Sequence, residues 1–216
     1  MIALLRYQAA ILFRSHRWIF PLIAYALLVS VGGAGGQQAL PPGLDWSAAM
    51  LVPIVALLTR SMLTAEPPAS RACVFAATSP ARAQLATLIM AIACGAALGL
   101  VGACYELVTS GHREALLAPV LAGLGKAGIC ALVGSAVGAL FNPPLIRHPA
   151  AALLSTIAAV VVALVSSVSP ASAALRGNGA AIQSAAWPTG IPLLAAVVLA
   201  AVAWGASCWL AGRRGE

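Results

Sequence analysis

Long apolar stretches separated by short polar turns dominate the chain, and they predict helices that cross a membrane. About 20 apolar residues are needed for a helix to span the hydrocarbon core. The pattern predicts six such helices: two within residues 18–65, two within 83–141, one over 150–168 and one over 191–211. Residues 37–46 are interpreted as a short polar turn, and the second span is predicted to start at about residue 47. We therefore expect an all-α integral membrane protein whose residues 1–216 form a single transmembrane domain.

An amphipathic segment, residues 1–17, precedes the first span. Its apolar side chains can share one helical face, with Arg6, Tyr7, Arg14 and Arg17 available to the membrane surface. This pattern predicts a helix lying in the interface, with its arginines among lipid headgroups. The alternative is an N-terminal extension of the first spanning helix.

Residues 66–82 form the central polar turn between the second and third spans. Pro67-Pro68 stops the incoming helix, because neither ring nitrogen can donate and each ring clashes with the preceding turn. We predict a short helix over residues 69–78, which Ser79-Pro80 ends before the chain re-enters the membrane.

Two pairs of glycines at four-residue spacing lie inside the predicted spans. One is Gly95 and Gly99 in the third span, and the other is Gly134 and Gly138 in the fourth. Small residues at this spacing leave a flat strip on a helix, which lets a neighbouring helix approach closely. The sequence therefore predicts close helix packing at both strips.

The composition supports a membrane location. The chain is 62% hydrophobic and 8% charged, with a mean hydropathy of +0.98. Globular domains are about 25% charged, so this chain cannot cover a water-facing surface with polar groups. The five cysteines have no C-x-x-C spacing and are interpreted as small apolar residues rather than as disulfides or metal ligands.

The net charge of +7 indicates orientation rather than nucleic-acid binding, because the arginines are unevenly distributed. The predicted inner side holds nine arginines, namely Arg6, Arg14, Arg17, Arg60, Arg71, Arg82, Arg147, Arg213 and Arg214. The predicted outer side holds two, Arg113 and Arg176. This excess places both termini and residues 66–82 in the cytosol.

The sequence contains two partial matches to cofactor-binding motifs, and the surrounding residues exclude both. Gly123, Gly125 and Gly128 match the dinucleotide fingerprint, but they lie inside a predicted span without a preceding strand. The Gly125-Lys126 pair lacks the Ser or Thr that a phosphate-binding loop needs next. We therefore expect no metal site, no cofactor and no enzymatic activity in this chain.

Lys126 is the most informative single residue. It lies about ten residues into the fourth span, roughly 15 Å deep, and an ionisable residue at such depth is by default a functional candidate. Glu106, near the outer end of the third span, is the predicted partner because the two spans are antiparallel neighbours. The pair either fixes helix register or contributes to a transport path.

Three features together resemble the membrane subunit of ABC-2 type transporters, which have a type V exporter-like fold. They are an interfacial helix containing R-Y-Q and L-F-R, six spans, and a basic turn after the second span. The turn is similar in its sequence Glu66…Arg71…Ser79-Pro80-Ala81-Arg82. Residues 169–190 resemble the outer re-entrant helices of that family.

The resemblance implies an exporter of hydrophobic or amphipathic cargo (a lipid, antibiotic, peptide or glycan) in the bacterial inner membrane. Residues 1–17 would be the elbow helix, and 66–82 would hold a coupling helix. Two copies of an ATP-binding subunit would bind ATP and magnesium, and a second permease subunit, identical or related, would complete the assembly. The coupling contacts would come from Glu66, Ser70, Arg71, Phe75 and Arg82.

The competing hypothesis is a secondary carrier, or a membrane assembly or sensor subunit that transports nothing. A carrier is expected to contain broken spans and several ionisable groups near the midplane. In the sequence only Lys126 lies clearly at that depth, which favours the exporter hypothesis.

Overall fold

The computed structural model of the chain describes residues 2–16, 18–33, 40–65, 70, 73–74, 77–110, 117–141, 149–176 and 190–213. All regular structure in these residues is helical. The helices are α1 (Ile2–Arg14), α2 (Ile19–Gly33), α3 (Leu40–Leu63), α4 (Pro80–Thr109), α5 (Leu117–Leu140), α6 (Pro149–Val165), α7 (Pro170–Arg176) and α8 (Gly190–Arg213).

Five segments of the described residues are long and apolar enough to cross a membrane. They are Leu40–Leu63, Pro80–Thr109, Leu117–Leu140, Ala150–Arg176 and Gly190–Leu210. The protein is therefore a multi-pass, all-helical membrane protein. A sixth span requires α1 and α2 to be counted together, because α2 has 15 residues and is only about 22 Å long.

The chain turns sharply between α1 and α2. The two helices are bent by 74° relative to each other, so α1 does not extend α2 in a straight line. His16 adopts the left-handed backbone conformation, with φ of 54°, as residues that end a helix commonly do. The rings of Phe13 and Trp18 meet edge to face across the turn, with centroids 5.9 Å apart.

Helix α3 is the centre of the bundle and packs against α2, α4 and α5. It begins at Leu40, seven residues before the predicted start of the second span at residue 47. Pro41 and Pro42 occupy its first turn, where a backbone N–H has no helical partner to lose. The interpretation of residues 40–46 as part of a polar turn was therefore wrong, and residues 37–39 lie outside the described residues.

Both glycine strips pack as predicted, and both face α3. A Cβ on Gly95 would lie 2.9 Å from Val55, and one on Gly99 would lie 3.2 Å from Leu51. As residue numbers rise on α4 they fall on α3, so these two helices are antiparallel.

The strip on α5 approaches the backbone of α3. A Cβ on Gly134 or on Gly138 would lie 2.6 Å from the carbonyl oxygen of Val52 or Ala56, respectively. Here the numbers rise together, so α3 and α5 run parallel. It follows that α3 and α5 begin at the end of the bundle where α4 finishes.

The outward faces of α6 and α8 are apolar. Exposed residues there include Leu154, Val162, Ile191, Leu194 and Val202. An apolar surface of this extent fits contact with lipid rather than with water.

The segment between α3 and α4 is described only in part. Ser70, Cys73, Val74 and Ala77 are helical, and Ser79 is extended immediately before Pro80 starts α4. The break at Ser79-Pro80 is thus as predicted. Of the predicted outer segment 169–190, the part up to Arg176 forms α7, and residues 177–189 lie outside the described residues.

Candidate functional site

An ion pair between α3 and α5 is the main polar feature inside the bundle. Lys126 Nζ lies 2.6 Å from Asp45 Oδ1, and the two side chains are only 8% and 14% exposed. Glu106 was the predicted partner of Lys126, and this prediction was wrong because Lys126 forms its ion pair with Asp45. Asp45 was overlooked because it was assigned to a polar turn, whereas the early start of α3 places it inside a helix.

The geometry of the pair follows from the parallel arrangement of α3 and α5. Gly123 of α5 packs against Leu44 of α3, and Gly134 packs against Val52, so this register places Lys126 at about the level of Asp45. The two side chains can therefore meet directly between the helices.

A small cleft lies beside this ion pair. Its volume is about 10 Å³, and its lining includes Leu44, Asp45, Gly123 and Lys126. This is room for about one water molecule. The cleft beside the ion pair is therefore too small for an organic molecule.

Glu106 lies near the end of α4 and is only 6% exposed. Its carboxylate occupies the space that a side chain on Gly43 of α3 would need. The nearby Tyr25 hydroxyl donates to the carbonyl oxygen of Ser47, with an oxygen–oxygen distance of 3.3 Å. The structure thus gathers residues of α2, α3, α4 and α5 at one end of the bundle. We call this end, which holds Asp45 and Glu106, the acidic end.

The opposite end holds Arg60, near the end of α3, and Arg82, in the first turn of α4, and we call it the arginine end. Helix α1 lies there too, because Gln8 and Leu12 line a cleft with Met62 and other residues at the end of α3. Gln8 is buried although it is polar, which the sequence analysis did not foresee.

The predicted coupling residues are only partly described. Ser70 is half-buried and Arg82 is exposed, whereas Glu66, Arg71 and Phe75 lie outside the described residues.

Of the predicted elbow residues, Arg6, Tyr7 and Arg14 are exposed on α1, and Arg17 lies outside the described residues. An apolar cleft of about 190 Å³ is lined by residues of α1, α2, α3 and α4. Its lining includes Phe13, Trp18, Leu58, Cys94 and Leu98.

No protein-family model matches this chain, and no curated protein or solved structure is significantly similar to it. Functional inference therefore depends on the geometry and on the sequence pattern.

Proposed function

We propose that the chain is the membrane-spanning permease subunit of an ATP-driven ABC exporter. Its cargo would be hydrophobic or amphipathic and would leave a bacterial cell. The observation that supports this most directly is the placement of α1 beside the last turn of α3. The elbow helix and the last turn of α3, which leads into the 66–82 segment, are thus neighbours at the arginine end. An ATPase that acts from one membrane face would need both elements at that face.

The distribution of charge agrees with this orientation. Arg60 and Arg82 lie at one end of the bundle, and Asp45 and Glu106 lie toward the other. Cytosolic ends of membrane proteins are enriched in arginine and lysine, so the arginine end is the cytosolic end in this proposal. The exposed Arg82 would then be available to an ATP-binding subunit.

In the proposed mechanism, two ATP-binding subunits bind ATP and magnesium and close on each other. Their closure displaces the 66–82 segment of each permease copy, and this segment connects directly to α3 and α4. Glycine contacts between α3 and its neighbours hold those helices with little side-chain interlock, so a small shift can propagate along them. Transport requires that the cargo binds the two conformations with different affinity.

The Asp45–Lys126 pair has two possible roles in such a subunit. It fixes the register of α3 against α5, or it becomes exposed to cargo when the helices move. Substituting Lys126→Met separates these roles. If the pair only fixes register, transport per correctly assembled complex stays unchanged, whereas a role in the path predicts lower transport with normal assembly.

The decisive experiment is purification of the tagged chain from native membranes after mild cross-linking. We expect an ATP-binding subunit to copurify and to hydrolyse ATP faster when a transported cargo is present. Deletion of residues 69–78 should abolish this coupling while leaving the chain in the membrane. Absence of any ATPase from the cross-linked material would contradict the proposal.

A secondary carrier is the second candidate, and one structural observation favours it. Asp45, Glu106 and Lys126 all lie within candidate spans and are largely buried, whereas the sequence indicated a single ionisable group at depth. Ionisable residues in spans often line ion pathways. Transport by the chain alone in ATP-free vesicles, driven by an ion gradient, would favour this candidate over the exporter.

A further inference from the structure

Two polar side chains at the end of α4 are buried and have no hydrogen-bonding partner within the described part of the chain. Glu106 and Ser110 are four residues apart and so share one face of the helix end. They are 6% and 7% exposed. Among the residues that the structure describes, none hydrogen-bonds to the Ser110 hydroxyl and none donates to the Glu106 carboxylate.

The neighbouring groups do not supply the missing interaction. Tyr25 of α2, which interacts electrostatically with Glu106, donates its hydroxyl hydrogen to the Ser47 carbonyl oxygen instead. The Lys126 ammonium forms its ion pair with Asp45. Glu106 also faces the Cα of Gly43 on α3, which has no side chain that could interact with the carboxylate.

An ionised carboxylate is unfavourable on a side chain that is only 6% exposed and has no counter-charge among the described residues. The end of α4 increases the demand for positive charge, since the C-terminus of a helix bears a partial negative charge. A carboxylate, a hydroxyl and the end of a helix together suit a proton or a small hard cation, and membrane transporters use such helix ends for this purpose.

We propose that Glu106 and Ser110 form a binding site for one positive charge, supplied either by a proton on Glu106 or by a monovalent metal cation. The site is separate from the Asp45–Lys126 pair. It does not depend on whether the chain works with an ATPase or as a carrier, because it requires only the packing of α4 against α2 and α3.

Thermal unfolding of the purified full-length chain in detergent tests the site in two arms. The first arm replaces choline chloride by sodium or potassium chloride at constant ionic strength and fixed, mildly alkaline pH. A cation at about ten times its dissociation constant should raise the Tm of the wild type by about 3 to 6 °C. The second arm raises the pH in choline chloride alone. A bound proton predicts that the wild type loses Tm relative to Glu106→Gln as the pH rises.

Glu106→Gln keeps the shape of the side chain but removes its charge, so it should respond in neither arm. Ser110→Ala should lose about half or more of a metal-cation shift and keep a proton shift. The matched control is Thr109→Val: Thr109 is exposed, and its hydroxyl bonds to the Tyr105 carbonyl oxygen within α4 at 2.9 Å. Thr109→Val should respond like the wild type.

A measurement on the wild type alone covers the case in which Glu106→Gln does not fold. A hydrophobic carbodiimide modifies protonated carboxyl groups in apolar surroundings, and peptide mass spectrometry locates the product. We expect modification at Glu106 that sodium suppresses, for a metal site, or that alkaline pH suppresses, for a proton site. Identical Tm responses of wild type and Glu106→Gln in both arms would overturn the proposal, as would a Glu106 that shows no protection by either condition.

Discussion

Substitution of Gly134 by alanine is a sharp test of the packing between α3 and α5. A Cβ at this position would lie 2.6 Å from the carbonyl oxygen of Val52. Carbon–oxygen contacts are comfortable at about 3.3 Å, so the two helices must separate by about 0.7 Å. The obstacle is backbone, and no rotation of a side chain can relieve it.

The size of the effect follows from a comparison with a neighbouring glycine. Forcing an extra methyl group into a packed interface costs about 1 to 3 kcal/mol. Gly128→Ala on the same helix is the matched control, because a Cβ there meets nothing within 4 Å. Both variants gain about the same 0.5 to 1 kcal/mol from replacing a helical glycine. The difference between them therefore isolates the clash.

The assay is thermal or denaturant unfolding of both variants in the same detergent. We expect Gly128→Ala to be as stable as the wild type or more stable. Gly134→Ala should be about 1 to 3 kcal/mol less stable than Gly128→Ala, which is at least about 2 °C in Tm for a chain of this size. Equal stability of the two variants would show that α3 and α5 do not approach each other as described.

Three further predictions test other parts of the structure. Asp45→Asn and Lys126→Met should each destabilise the chain by about 3 kcal/mol, because each single change leaves one buried charge unpaired. The double variant should lose much less stability than the two single losses added together, and additive losses in unfolding experiments would refute the ion pair. Gly43→Ala should destabilise the wild type, because the added methyl group meets the Glu106 carboxylate, and it should not destabilise a Glu106→Ala variant, which lacks that carboxylate. Equal effects of Gly43→Ala in the two backgrounds would refute this contact. A cysteine at Ser70, in a chain without its native cysteines, should react with an impermeant thiol reagent only after cells are opened, and labelling of intact cells would place the arginine end outside.

Much of the fold could be predicted from the sequence, and the errors are instructive. The spans over residues 83–141 were placed to within a few residues, because long apolar runs with few charges leave little alternative. The start of α3 was misplaced because Pro41 and Pro42 were taken as a turn signal. Two prolines suit a turn and the first turn of a helix equally well, and only the contacts of Leu44 and Asp45 with α5 distinguish these cases.

The candidate site was harder to predict than the spans. Lys126 was recognised because a charged residue inside a long apolar run is evident from the sequence alone. Its partner was missed because spans that follow each other in sequence were assumed to be the relevant neighbours, whereas α3 and α5 are separated by α4 and nevertheless pack together. The unpartnered hydroxyl of Ser110 has no sequence signal, since a serine at a helix end is usually a surface residue.

Hydrophobic periodicity and length by themselves determined that this chain is helical and crosses a membrane, because lipid leaves backbone groups no partner outside a helix. The glycine spacing also determined which helix faces pack closely. Only the tertiary structure decided that α3 receives both glycine strips, that Lys126 pairs with Asp45, and that Glu106 and Ser110 are buried together. These three features depend on which helices are neighbours and on their register. The pattern of apolar residues along the sequence would be nearly the same for any arrangement of these spans, so it cannot predict those contacts.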